Sequence, residues 1–240
     1  MRIIDAVWEK RNLGVETHEI ELDGSEDLQN VRDVLAYDKS RYCVVKSPIG
    51  RLDLYEELST LGFHYAESLF TLRADTLKIA DSGSESDTCF RLALDADVDE
   101  LLQAVESGLF TTDRIALDPV FGPRIAARRY CNWIRDEIAR NADLVILLFE
   151  GMPVGFTLLR EADLGTCKVA LCGMYPPYQS RGLSGLIVRA GLERTRAMGQ
   201  RVLLTPISSN NPASLKAHIK AGCVPDTIQY VFVRHDTWSR

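Results

Sequence analysis

Between residues 144 and 174 three apolar runs follow one another, at 144–149, 154–160 and 168–174, with only a few residues between them. A parallel connection needs a dozen or more residues, so these runs can only pair as an antiparallel meander. Met152-Pro153 and Leu164-Gly165 are the expected tight turns. The third run is stopped by Pro176 and Pro177, which have no amide to donate to a ladder. From there the pattern changes to a helix over 183–198 with Leu186, Ile187 and Ala190 inward, a strand over 202–206, a helix over 212–221 and a strand over 228–233. A meander followed by strand–helix–strand–helix–strand predicts a mixed α/β sheet.

The residues before the meander are organised differently. The first 75 read as short strands alternating with helices. Strands are expected at 16–22, 41–46 and 63–73. One helix is capped by Ser25 and buries Leu28, Val31 and Leu35; another buries Leu54, Leu58 and Leu61 and ends at Gly62 in a left-handed conformation. The run DSGSESDT at 81–88 has nothing to give a core and reads as a linker. The expected division is therefore a small α/β domain at 1–80, a linker at 81–88 and a larger domain at 89–240. The larger domain opens with a strand at 89–94 and helices at 97–106 and 122–139. Trp8 and Trp133 are expected in the cores.

The formal net charge of −6 over 240 residues argues against nucleic acid or an anionic membrane as the main partner, since both select dense basic surfaces. Six cysteines with no C-x-x-C pair, and only four histidines, argue against a zinc site, so no metal is expected. No stretch has the length of a membrane span and no apolar leader follows Met1. A reducing cytoplasm is the expected setting.

The chemistry is expected in Met174-Tyr175-Pro176-Pro177 and the turn that follows, Gln179-Ser180-Arg181-Gly182-Leu183-Ser184. A turn containing Gly182 that enters a helix presents amides with no internal acceptor at the positive end of the helix dipole, suited to phosphate or diphosphate. Spacing alone leaves an ordinary strand-to-helix connection equally open. The segment resembles the Q/R-x-x-G-x-G/A signature of the GNAT acyltransferase superfamily, with Ser184 where Gly or Ala is usual. A second segment, Asn211-Pro212-Ala213-Ser214-Leu215-Lys216-Ala217-His218-Ile219-Lys220-Ala221-Gly222-Cys223, resembles that family's N-x-x-S/A-x-x-x-Y/H-x-x-x-G-F stretch, with Cys223 in place of the aromatic.

The resemblance implies a GNAT fold and an enzyme that carries an acetyl or similar acyl group from coenzyme A to a primary amine, without a metal. It implies that backbone groups of Gly173 and Met174 hold the thioester and its pantetheine arm. The amides of Gln179, Ser180, Arg181, Gly182, Leu183 and Ser184 would take the diphosphate, and Asn211 would either contact the cofactor or only cap its helix. His218 would stand where a Tyr, in some members a His, protonates the departing thiolate. A general base is not identified; Glu150 and Glu161 at the meander's strand ends are candidates. The acceptor site is expected around Phe110, Arg114 and Asp118 in a Pro-broken, aromatic and charged loop, a packed connector being the alternative. The resemblance extends over the whole chain to a family enzyme that acts on a nucleotide-linked amino sugar, which makes that acceptor class the leading one. An amino acid, a peptide terminus, a natural-product amine, or a non-catalytic acyl-CoA-binding module are the alternatives. A homodimer is an expectation of the resemblance alone.

Overall fold

The computed structural model describes residues 1–77 and 88–236. The linker expected at 81–88 therefore lies outside the described residues except for Thr88. By compactness the chain divides into Met1–Leu69 with the C-terminal segment from Thr227, and Phe70–Asp226. The C-terminal strand thus belongs largely with the N-terminal unit, whereas the sequence division puts it with the C-terminal domain.

The N-terminal unit contains β1 (Arg2–Asp5), α1 (Val7–Leu13), β2 (Thr17–Glu21), α2 (Leu28–Tyr37), β3 (Tyr42–Pro48) and α3 (Leu52–Thr60). β4 (His64–Asp75) and β10 (Val224–His235) give residues to both units. β1 pairs antiparallel with β2, β2 parallel with β3, and β3 antiparallel with β10. Ile20, Val31, Leu35, Val45, Leu54 and Leu58 form its core. Each such fully buried side chain contributes about 1.5–3 kcal/mol relative to exposure. Two expectations need correction. α2 is capped by Asp27, whose carboxylate accepts from the Gln29 amide, while Ser25 instead donates its hydroxyl to Asp23. Trp8 is 43% exposed, on the outward face of the seven-residue α1, and is not a core residue.

The C-terminal unit contains β5 (Thr88–Leu92), α4 (Asp95–Glu106), α5 (Gly122–Ala139), β6 (Asp143–Phe149), β7 (Met152–Glu161) and β8 (Thr166–Met174). After a 3-10 turn (Pro176–Tyr178) come α6 (Gly185–Ala197), β9 (Val202–Ser208) and α7 (Pro212–Lys220). The strands lie in the order β9-β8-β7-β6-β5; β5 to β8 are antiparallel and β8 pairs parallel with β9. Alternation sorts β6 onto two faces: Val145 and Leu147 join the core under α6, Leu144 and Ile146 the core under α4 and α5. The sheet is thus covered on both sides. The β6–β7 hairpin does not turn at Met152-Pro153 as expected. Phe149 already faces Met152, and the two loop residues Glu150 and Gly151 both have positive φ, 51° and 78°. Positive φ at both positions is the demand of a type I′ turn, whose twist matches the strands.

Candidate active site in the C-terminal unit

The site follows from a fault in the sheet. β8 and β9 pair only from Thr166↔Val202 to Lys168↔Leu204, although β8 runs on to Met174 and β9 to Ser208. Just beyond the last pair the β7–β8 register slips: Leu159 faces Val169 but Leu158 faces Leu171. Ala170 is the extra residue of a bulge, which bends its strand and ends pairing. Among the described residues no strand therefore lies opposite the β9-side edge of residues 169–174. Such an edge offers backbone donors and acceptors to an extended ligand.

At the mouth of this opening the chain makes its closest backbone approach. Gly155 faces Met174 across the β7–β8 ladder, and a Cβ added there would lie 2.6 Å from the Gly173 carbonyl oxygen and 3.0 Å from Met174 Sδ. A Cβ on Gly173 would meet Phe156 Cε1 at 3.3 Å and Leu109 and Phe110 at 3.7 Å. Gly155 is needed for space, and at Gly173 a side chain would require Phe156 to give way by a few tenths of an ångström. Phe110 packs its ring at 4.5 Å on Tyr130 and edge-on to Phe156 at 6.3 Å, so it walls the end of β8. Gly155, Phe156 and Leu109 were missed in the sequence; an interior strand glycine at 155 was the available signal.

Past Met174 the turn takes a defined shape. Gln179 donates its side-chain amide to the Met174 carbonyl at 3.1 Å, tying the turn back to the strand end. Ser180 and Gly182 both have positive φ, 61° and 82°. α6 begins at Gly185, two residues later than expected, with Leu186 and Ile187 donating back to the carbonyls of Leu183 and Ser184. Among the described residues no acceptor meets the amides of Ser180, Arg181, Gly182, Leu183, Ser184 or Gly185. These amides lie together at the positive end of α6 and fit a diphosphate. Arg181 lies over the Tyr178 ring at 5.5 Å, with its guanidinium at the same turn.

On the other arm of the opening, β9 leads through Ser208 into α7. Asn211 caps α7, its side-chain oxygen accepting from the Ser214 amide at 3.1 Å. His218 is 2% exposed and its Nδ1 donates to the Ser214 carbonyl oxygen at 2.9 Å. That bond fixes the tautomer and leaves Nε2 as an acceptor. Burial pushes the His218 pKa below the ordinary imidazole value, and the Ser214 carbonyl only partly opposes this. The imidazole is therefore neutral near pH 7 and can accept a proton before it donates one.

The remaining expected residues lie outside β8, the turn and α7. Glu161 faces Cys167, six residues from Gly173 along β8 and so about 20 Å away; it is not a base for a reaction at Gly173, and it accepts from Gln200 instead. Glu150 sits exposed in the hairpin turn. Asp118 is buried, its carboxylate accepting from the amides of Val120 and Phe121, which fixes the entry to α5. Arg114 is half-buried in the same loop. Trp133 is half-buried on α5, donating to Glu137. Among the described residues no group of side chains suits a metal ion, and no helix is long and apolar enough to cross a membrane.

No family model matches this sequence. Over 100 residues, 41% of the chain, it is 27% identical to mycothiol acetyltransferase of Corynebacterium glutamicum strain R. That match covers 32% of the relative, so the chain spans about a third of its length. Among solved structures, a functionally unknown conserved protein from Staphylococcus epidermidis superposes with TM-score 0.65 at 15% identity, covering 92% of this chain and 84% of that one. A GCN5-related N-acetyltransferase from Kribbella flavida superposes with TM-score 0.59 at 14% identity, covering 91% and 81%. Another from Sphaerobacter thermophilus gives TM-score 0.56 at 12% identity, covering 81% and 59%. With its mixed sheet, its bulged and splayed strand pair and its covering helices, the chain has the fold of the GCN5-related N-acetyltransferases.

Proposed function

We propose that this protein is an N-acetyltransferase that uses acetyl-CoA to acylate a primary amine of a small molecule. The observation that carries the reading is the gap opened at Ala170, where a β8 edge that is unpaired among the described residues leads onto the amides of residues 180–185, which have no acceptor among them. An extended pantetheine chain suits the edge and a diphosphate suits the amides, and the resemblance of both sequence segments to the GNAT superfamily points the same way.

In this reading Gly173 and Met174 hold the thioester end through their backbone. Gln179, Ser180, Arg181, Gly182, Leu183 and Ser184 hold the diphosphate, and the side-chain NH2 of Asn211 contacts the same ligand. The chemistry supplied by the donor is an activated acyl carbonyl. The C–N bond forms as the amine attacks that carbonyl, and the C–S bond breaks as the thiolate leaves. One proton must pass from the nitrogen to the sulfur. A neutral His218 accepts before it donates, so we assign it the relay: Nε2 takes the amine proton and the resulting imidazolium returns it to the sulfur.

For the acceptor we favour a nucleotide-linked amino sugar. The support is a resemblance to TDP-fucosamine acetyltransferase at Trp8-Glu9, Leu13-Gly14-Val15, Leu61-Gly62-Phe63, residues 110–114 and residues 215–222. Phe110, whose ring walls the end of β8, is the acceptor-site residue with the clearest geometry. Arg114 and Asp118 belong to the same loop, Asp118 acting through the position of α5. Thiol release from acetyl-CoA with nucleotide-linked amino sugars, amino acids and peptide amines tests the reading. Turnover with one class, lost in His218→Ala while acetyl-CoA affinity is kept, supports it. Binding without turnover of any amine would instead make the protein a non-catalytic acyl-CoA module.

A further inference from the structure

One helix face in the C-terminal unit is charged in a way that the acyl-transfer reading does not use. Arg124, Arg128 and Arg135 recur on α5 at intervals of four and seven residues, which places them along one stripe. Together they line a cleft of about 420 Å³ whose opposite wall is Glu106, Ser107 and Gly108 at the end of α4. A volume of that size lies within the range of small-ligand sites, roughly 300–1,000 Å³. The floor is Cys131, buried with its thiol directed at the Leu102 carbonyl.

The arrangement works against the helix that carries it. Arg124 stands in the first turn of α5, at the positive end of the dipole, and that turn holds no acidic residue. Arg124 and Arg128 are four apart, a like-charge spacing that destabilises a helix. Neither Arg124 nor Arg135 has an ion-pair or hydrogen-bond partner among the described residues. The lining holds three guanidinium groups against one carboxylate, Glu106, on a chain of net charge −6. Guanidinium forks pair bidentately with phosphate oxygens, and a ligand with two adjacent phosphates suits several arginines on one wall.

We propose that this cleft binds a diphosphate group. Two sources share that chemistry: the diphosphate of a nucleotide-linked acceptor, or free inorganic diphosphate. The segment that forms the wall runs directly into Leu109 and Phe110, which flank Gly173. The inference goes beyond the acyl-transfer reading and stands or falls separately from coenzyme A binding.

Isothermal titration at low ionic strength tests it, with inorganic diphosphate, a nucleoside diphosphate and coenzyme A as three separate ligands. The wild-type protein is expected to bind at least one of the first two. The double substitution Arg124→Gln with Arg135→Gln is expected to weaken that binding at least tenfold and leave coenzyme A affinity within twofold. Both side chains are exposed, so the variant should keep its fold, which its melting temperature checks. Arg124→Lys with Arg135→Lys keeps the charge and loses the fork, and should fall between the two. Tighter binding of the nucleoside diphosphate identifies the acceptor as the source; equal binding identifies free diphosphate. Absence of diphosphate binding at millimolar concentration, or binding unchanged in the glutamine variant, overturns the proposal even if coenzyme A binds.

Discussion

Replacing Gly155 by alanine isolates the geometry on which the site depends. The added methyl carbon would sit 2.6 Å from the Gly173 carbonyl oxygen, 3.0 Å from Met174 Sδ and 3.2 Å from Met174 Cα. The sulfur can swing away. The carbonyl and the Cα are backbone held in the β7–β8 ladder, where Tyr175 also donates to Val154 at 2.9 Å. Relief therefore requires the end of β8 to move by a few tenths of an ångström. Overpacking of this kind costs about 1–3 kcal/mol. Taking about 2 kcal/mol, a chain of this size should melt about 4–8 °C lower. A displaced Gly173 and Met174 should also lose roughly one backbone hydrogen bond to the pantetheine arm, about 1 kcal/mol, or about a fivefold weaker affinity for acetyl-CoA. The control is Gly185→Ala. Its Cβ would meet nothing within 4 Å, its φ is not positive, and it opens α6, so it should be neutral or slightly stabilising. Differential scanning fluorimetry and calorimetry read both quantities. Gly155→Ala with wild-type melting and wild-type affinity would refute the close approach.

Two further outcomes follow from α7. Because burial depresses the His218 pKa, the unfolded chain binds this proton at higher pH than the native one. The neutral imidazole's contribution is thus complete above the ordinary histidine value of 6.5 and is lost as pH falls through the lower native value. The melting-temperature gap between wild type and His218→Asn should shrink from pH 7.5 to pH 5; a constant gap would contradict a buried neutral histidine. Asn211→Ala removes the cap on the Ser214 amide and should cost about 1 kcal/mol, some 2–4 °C in melting temperature, whether or not ligand is present. An unchanged melting temperature would mean that the cap carries no stability.

The elements legible in the sequence are those whose residues see the same physics locally and in the fold. The meander was readable because β6, β7 and β8 are buried strands divided by turn residues. The helix end at Gly62 was readable too, and it takes positive φ, 80°, as does Gly222 after α7, 91°. At each, the two residues that follow the helix donate back into its last turn. β1 was not anticipated because an edge strand of four mostly exposed residues has no alternation to read. Trp8 misled because α1 is only seven residues long and turns that face outward.

At the site, the turn at 179–184 was readable through its prolines and glycine, but the feature that makes it accessible was not. The Ala170 bulge is a property of how β8 fits β7 and β9, and nothing in the composition of Ala170 marks it. Asp118 accepts locally from the amides of Val120 and Phe121, a bond that its residue type alone does not reveal. The tautomer and charge of His218 depend likewise on the Ser214 carbonyl one turn before it and on the packing around it.

Hydrogen–deuterium exchange of the full chain with and without millimolar acetyl-CoA reads the central claim at its own atoms. Among the described residues the amides of 180–185 and the β9-side amides of 169–174 have no acceptor, so they should exchange fast in the free protein and slow markedly on ligand addition. Protection confined to those two segments is the predicted result. Unchanged exchange there at millimolar acetyl-CoA would contradict the account.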